Sequence, residues 1–181
     1  MKNLLAAAAT LAVAVSMPAL AQQRPLSDPV IAAPNPEALF VSKDAKLNKN
    51  KQATLHIMRE LLQCHQWSRA GEWLTDKYIQ HNPVAKSGLQ GVIYYFTQVA
   101  KQQPTATCGK LTSPVVAVQA EGDYVTVSTV RTLPIPGIAG ETYTTTWFDM
   151  YRFVNGKADE HWDPMALGAG PGPSASAAKP A

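Results

Sequence analysis

The stretch WFDMYRFVNGKADEHWD, Trp147 to Asp163, decides the fold. Bulky residues alternate up to Asn155-Gly156 and alternate again beyond it, and Asn-Gly is the strongest short hairpin signal, so two antiparallel strands joined by a tight turn are predicted. Along the first strand Trp147, Asp149, Tyr151 and Phe153 share one face, and Phe148, Met150, Arg152 and Val154 share the other. Register decides what stands opposite them. A two-residue loop pairs Val154 with Lys157 and sets Met150 opposite His161; a three-residue loop with a left-handed Gly156 pairs Phe153 with Lys157 and sets Asp149 opposite His161. The second is the expected register. It gathers Asp149, Tyr151, His161 and Asp163 on one face and leaves Phe148, Met150, Ala158 and Trp162 on a more apolar one.

Working outward, a second informative piece is YIQHNP, Tyr78 to Pro83, followed by Gly88, Gly91 and a helix containing Tyr94, Tyr95 and Phe96. In strand geometry Tyr78, Gln80 and Asn82 point one way and Ile79 and His81 the other. These pieces and FDMYRFVNGKADEHWD, in this order and spacing, resemble the SnoaL-like proteins. These form the polyketide-cyclase branch of the nuclear-transport-factor-2-like superfamily, which also holds the ketosteroid isomerases. The resemblance covers roughly Asn50 to Pro164. It implies a cone-like fold with an internal pocket, and an activity of the lyase or isomerase type. It places Asp149 where the isomerases carry a pocket acid that donates to a developing oxyanion, and makes Asp163 a match for the acidic base proposed in the cyclases. One position departs from the isomerase pattern: their proton-shuttling acid precedes a proline, and here the dipeptide is Asn82-Pro83.

The rest of the chain agrees with that class. Leu55, Met58, Leu61 and Leu62 recur at helical spacing, a short helix is predicted from Ser68 through Trp73 and Leu74, and S-x-x-Q at Ser87 to Gln90 reads as a capping box. The β-branched runs VVAVQA and YVTVSTVRTL follow, separated by Glu121-Gly122-Asp123, and Thr142 to Val154 forms one long strand. Helices first and strands after give an α+β domain, with helices packed on a curved antiparallel sheet. His56 and His65 fall off or at the end of the apolar stripe, as solvated or capping residues.

The start, MKNLLAAAATLAVAVSMPALA, reads as a signal peptide over 1–21, which implies an exported protein, periplasmic or secreted. A Pro/Ala-rich arm is expected over 22–48, with Leu39, Phe40 and Val41 as its docking residues. The SnoaL-like domain is expected over 49–165 and a disordered tail over 166–181. A net charge of +3 without a compact Lys/Arg cluster excludes nucleic acid as a natural partner. Cys64 and Cys108 are either a bridge closing a long loop or two small buried hydrophobes.

Abstracting a proton next to a carbonyl requires a base near the carbon and a donor near the oxygen. Asp149, His161 and Asp163 are the expected catalytic residues. Tyr151, Trp147, Asn82, His81 and Tyr95 are the expected ligand-binding ones, for a small apolar or aromatic carbonyl compound in an aldol, cyclisation or isomerisation reaction. The competing reading is a binding module of the same fold without turnover. His81, His161 and a carboxylate would suit zinc or iron, but strand alternation points His81 away, so neither metal nor cofactor is expected. No membrane contact is expected after signal cleavage, and the sheet offers a route to a homodimer.

Overall fold

The turn in the quoted stretch has two residues. Asn155 and Gly156 both take left-handed backbone angles, φ 53° and 85°, Val154 pairs with Lys157, and such a turn twists in the same sense as its strands. The expected three-residue loop and the pairing of Phe153 with Lys157 are thereby corrected. A two-residue turn alone would have sent Asp149 and His161 to opposite faces. One extra residue prevents this: the ladder passes from Phe153–Ala158 to Arg152–Glu160, so Asp159 is a bulge that shifts the rest of the strand by one position. Tyr151 now stands opposite His161. Asp149 shares their face, but lies diagonal to His161 rather than directly across from it. Ala158, expected beside Phe148 and Trp162, is instead fully buried opposite Phe153.

The bulge is clamped. Asp159 accepts hydrogen bonds from Thr75 at 2.7 Å and Arg152 at 2.6 Å, and Arg152 also holds Glu160.

The structure is a computed structural model that describes residues 23–167. The signal-peptide segment and most of the expected tail lie outside the described residues. Five strands, β1 (Leu74–Gln80), β2 (Val115–Glu121), β3 (Tyr124–Pro134), β4 (Thr142–Val154) and β5 (Lys157–Trp162), form one sheet in the order β1-β5-β4-β3-β2. The α+β expectation holds, with one difference: β1 runs parallel to β5, so the sheet is mixed. The connection from β1 to β5 passes through a helix and the other three strands, which gives the chain room for a parallel return.

Helix α1 (Ala45–His56) widens into π geometry over Ile57–Gln63. It packs Ala53, Leu55, Ile57, Met58 and Leu61 into a core shared with Val125, Val127, Tyr151 and Phe153 of the sheet. Helix α2 (Ala70–Trp73) is a single turn. Helix α3 (Leu89–Tyr94) also widens, over Tyr95–Val99. Ser87 does not cap α3, because Gly88 takes the N-cap position with φ 85° and the Ser87 hydroxyl accepts from the Gln80 backbone N–H at 3.0 Å.

The segment before residue 49 is built into the domain more firmly than the word arm suggests. Phe40, in a 3₁₀ turn over Pro36–Phe40, is fully buried. Asp44 caps α1 by accepting from the Leu47 N–H at 2.8 Å. His56 is not merely solvated: its Nδ1 lies 2.6 Å from buried Glu60, which also accepts from Trp73 and pairs with Arg69. Burial acts to raise the Glu60 pKa, but these hydrogen bonds and the charges of His56 and Arg69 outweigh it and hold the carboxyl below its ordinary value. Cys64 and Cys108 are bridged, with α-carbons 5.7 Å apart.

The left-handed Gly156 makes the turn testable. A Cβ at residue 156 would adopt a left-handed angle and meet the Lys49 side chain that lies across Gly156. Gly156→Ala is expected to lower the unfolding free energy by about 1–2 kcal/mol. Urea denaturation checks this, and an unchanged midpoint would contradict the left-handed Gly156 packed under Lys49.

Candidate active site

The parallel return of β1 brings the YIQHNP strand to the inner side of the hairpin. Gln80 pairs with His161 along the ladder, and the alternation that points Tyr78, Gln80 and Asn82 to one side places all three against the hairpin's polar face. His161 Nδ1 lies 2.6 Å from the Gln80 side-chain oxygen, and its Nε2 lies 3.1 Å from Asp149 Oδ1. Asn82 donates to Asp163 Oδ2 at 2.7 Å, and Asp163 Oδ1 accepts the Met165 backbone N–H. Trp147 donates from its indole N–H to the same Asp149 oxygen at 3.3 Å.

Two phenols lie beside the imidazole. Its ring centroid is 4.8 Å from that of Tyr151 and 6.4 Å from that of Tyr78. Both tyrosines and His161 are buried, while Asp149 keeps some exposure. Neither phenol hydroxyl has a hydrogen-bond partner among the described residues. Burial, reinforced by the negative charges of Asp149 and Asp163, pushes both phenols well above their ordinary pKa, so they are neutral donors.

The site therefore unites Asp149, His161, Asp163, Tyr151, Trp147 and Asn82 as expected from sequence, and adds Tyr78 and Gln80. The signal for these two was available: they alternate with Asn82 on the same strand. What the sequence lacks is any mark that this strand pairs with β5.

Two expected ligand-binding residues lie elsewhere. His81 projects from the opposite side of the sheet, where its Nε2 lies 3.0 Å from Glu160 and its ring stacks on Trp162 at 4.6 Å. It follows the alternation of its strand, which turns it away from Gln80 and Asn82. Tyr95, in the widened turn of α3, packs edge-on against Phe96 at 5.0 Å and makes no contact with the cluster among the described interactions.

Ligand atoms of Asp149, His161 and Asp163 lie within 4.8 Å of one another, so this trio is the set that could approach a cation. Both imidazole nitrogens already face Gln80 and Asp149, and a metal would have to displace one of these contacts. The arrangement suits proton transfer better than ligation. Two clefts, of about 440 and 290 Å³, lie at the Asn155-Gly156 end of the hairpin and are not lined by the cluster.

The buried phenols set an alkaline limit. Folded-state pKa values above the unfolded ones mean that their stabilising effect is complete below pH ~10 and is lost as pH rises beyond it, where the unfolded chain releases protons that the folded chain keeps. Tyr78→Phe should flatten the fall in stability above pH ~10. Denaturant midpoints between pH 8 and 11.5 check it, and an unaltered slope would show that Tyr78 ionises freely in the folded chain.

A family model for the SnoaL-like domain matches residues 57–161. No curated protein matches the chain. Among solved structures it is similar to a candidate polyketide cyclase from Acidithiobacillus ferrooxidans, at 17% identity over 68% of this chain and 89% of that one, TM-score 0.46. A candidate SnoaL-like polyketide cyclase from Jannaschia is 18% identical over 68% and 90% of the two chains, TM-score 0.47. A Burkholderia pseudomallei NTF2-like protein of unknown function is 16% identical over 65% and 91%, TM-score 0.46.

Proposed function

The chain belongs to the SnoaL-like domain family, and from that premise we propose acid/base catalysis on a small carbonyl compound, centred on Asp149 and His161. The observation that carries this reading is the 3.1 Å contact between Asp149 Oδ1 and His161 Nε2 beside two buried phenols with free hydroxyls. Asp149 Oδ2 has no partner among the described residues and the side chain keeps some exposure, so Oδ2 is the atom assigned to take a proton from a carbon next to the carbonyl. Gln80 accepts from His161 Nδ1–H, which fixes the ring and directs Nε2 at Asp149. A phenol of Tyr78 or Tyr151 donates to the developing enolate oxygen. Such donors cost no reorganisation because burial keeps them neutral and in place. Asp163, tied to Asn82, is a positioning residue in this scheme.

Asparagine at position 82 fits the assignment. It cannot shuttle a proton, and its amide N–H₂ is used to hold Asp163. The reaction class is then an aldol, cyclisation or isomerisation step that begins with enolisation.

A second reading, a binding module without turnover, is favoured by one feature. The cluster is packed, with His161 and both tyrosines below one-tenth exposure, and the two clefts of the described residues are not lined by it. We also infer an exported protein: the apolar leader over 1–21 and the Cys64–Cys108 bridge both support it, since disulfides persist in oxidising compartments.

Enolisation is testable before the substrate is known. Exchange of α-protons for deuterium in a panel of aromatic β-diketones, followed by NMR, should be accelerated by the protein. Asp149→Asn should reduce that rate about 10²- to 10⁴-fold while leaving ligand affinity within about tenfold. Exchange at the buffer rate with every member, despite binding, would establish the binding module instead.

A further inference from the structure

Hairpin β3–β4 outruns the rest of the sheet. The β2 ladder on β3 ends at Thr129, the β5 ladder on β4 ends at Met150, and the β3–β4 pairs continue to Pro134–Thr142. Alternation from Asp149 outward puts Trp147, Thr145 and Tyr143 of β4 on the inner side, with Thr129, Arg131 and Leu133 beside them on β3. The extension is a half-buried shelf at the entrance to the Asp149–His161 cluster.

Arg131 is the unusual group on this shelf. Its guanidinium lies 4.3 Å from the Trp147 ring centroid, and the indole of Trp147 in turn donates to Asp149. Three arginines of the described residues are half-buried: Arg59, Arg131 and Arg152. Arg59 pairs with Glu37 and Glu60, and Arg152 with Asp159 and Glu160. Arg131 has neither a carboxylate nor any hydrogen-bond acceptor among the described residues. Stacking uses only the face of the guanidinium, so the in-plane N–H fork stays free, and that fork matches a carboxylate in two parallel hydrogen bonds.

We propose that Arg131 is a substrate-carboxylate subsite, so that the ligand is an aromatic carbonyl compound bearing a carboxylate. This rests on the carbonyl reading of the same site. Asp149 and Asp163 would repel an acid that entered at random. A cation fixed at the outer end of Trp147 orients it, holding the carboxylate at the mouth and directing the carbonyl toward Asp149, Tyr78 and Tyr151. Arg131 thus serves specificity and positioning, and takes no part in proton transfer.

The test compares a matched pair of probes, 4-acetylbenzoate and 4-acetylbenzamide, binding to the full chain by calorimetry at low and high salt. The acid should bind about 10- to 100-fold tighter than the amide, and the preference should shrink with salt. Arg131→Gln should abolish the preference while leaving amide binding unchanged. Arg131→Lys, which keeps the charge but loses the fork, should retain only part of it. Equal binding of the two probes, a preference that survives Arg131→Gln, or binding of neither would overturn the proposal. Equal probe binding together with Asp149-dependent α-proton exchange would overturn the subsite alone and leave the enolisation chemistry standing.

Discussion

A β-strand has two faces, and a shift of one residue exchanges them. In this protein a two-residue turn at Asn155-Gly156 would place Asp149 and His161 on opposite sides of the sheet. The single bulged residue, Asp159, reverses that outcome. Arg152 and Thr75 hold Asp159 in place from two different strands, so the device that sets the hairpin's parity is also tied to β1. Everything polar on the inner face depends on it. Without the bulge, Glu160 and His161 would exchange faces while Arg152 and Tyr151 kept theirs.

Given that parity, the remaining geometry is supplied by the parallel return of β1. It adds Gln80 on the far side of the imidazole and Tyr78 over its ring, converting a two-stranded polar face into an enclosed one. The consequence is electrostatic as much as steric. An imidazole fixed at both nitrogens cannot rotate, and two phenols kept neutral by burial are available as donors next to a carboxylate that retains some access to solvent. Proton abstraction with oxyanion stabilisation needs these parts together.

Much of this was legible in the sequence because it rests on local pattern. The 2.0-residue period of WFDMYRF and of YIQHN assigned Asp149, Tyr151, Gln80 and Asn82 to their faces, and the order of helices and strands gave the α+β class. The bulge was not legible. Lys157-Ala-Asp-Glu-His161 alternates acceptably with or without a displaced residue, and the choice is made by Arg152 and Thr75, which are distant in sequence or on the partner strand. The expected three-residue loop reached the right grouping by a different count, since each route shifts the plain two-residue register by one residue, in opposite directions, and the two outcomes differ by an even number. The pairing of β1 with β5 was hidden for a similar reason, because nothing local distinguishes a strand that pairs across some eighty residues from one that pairs with its neighbour. His81 was misplaced by its neighbours Gln80 and Asn82, which do line the cluster, whereas Tyr95 sits in the widened turn of α3 against Phe96.

The central claim is that His161 is held at both nitrogens on the inner face. Imidazole N–H resonances of His161 report this directly, because a proton held in a buried hydrogen bond exchanges slowly with water and an exposed one does not. A slowly exchanging, downfield Nδ1–H signal is expected in the native protein and is expected to be lost in Gln80→Ala. A His161 ring in rapid exchange with solvent and indifferent to Gln80→Ala would contradict it.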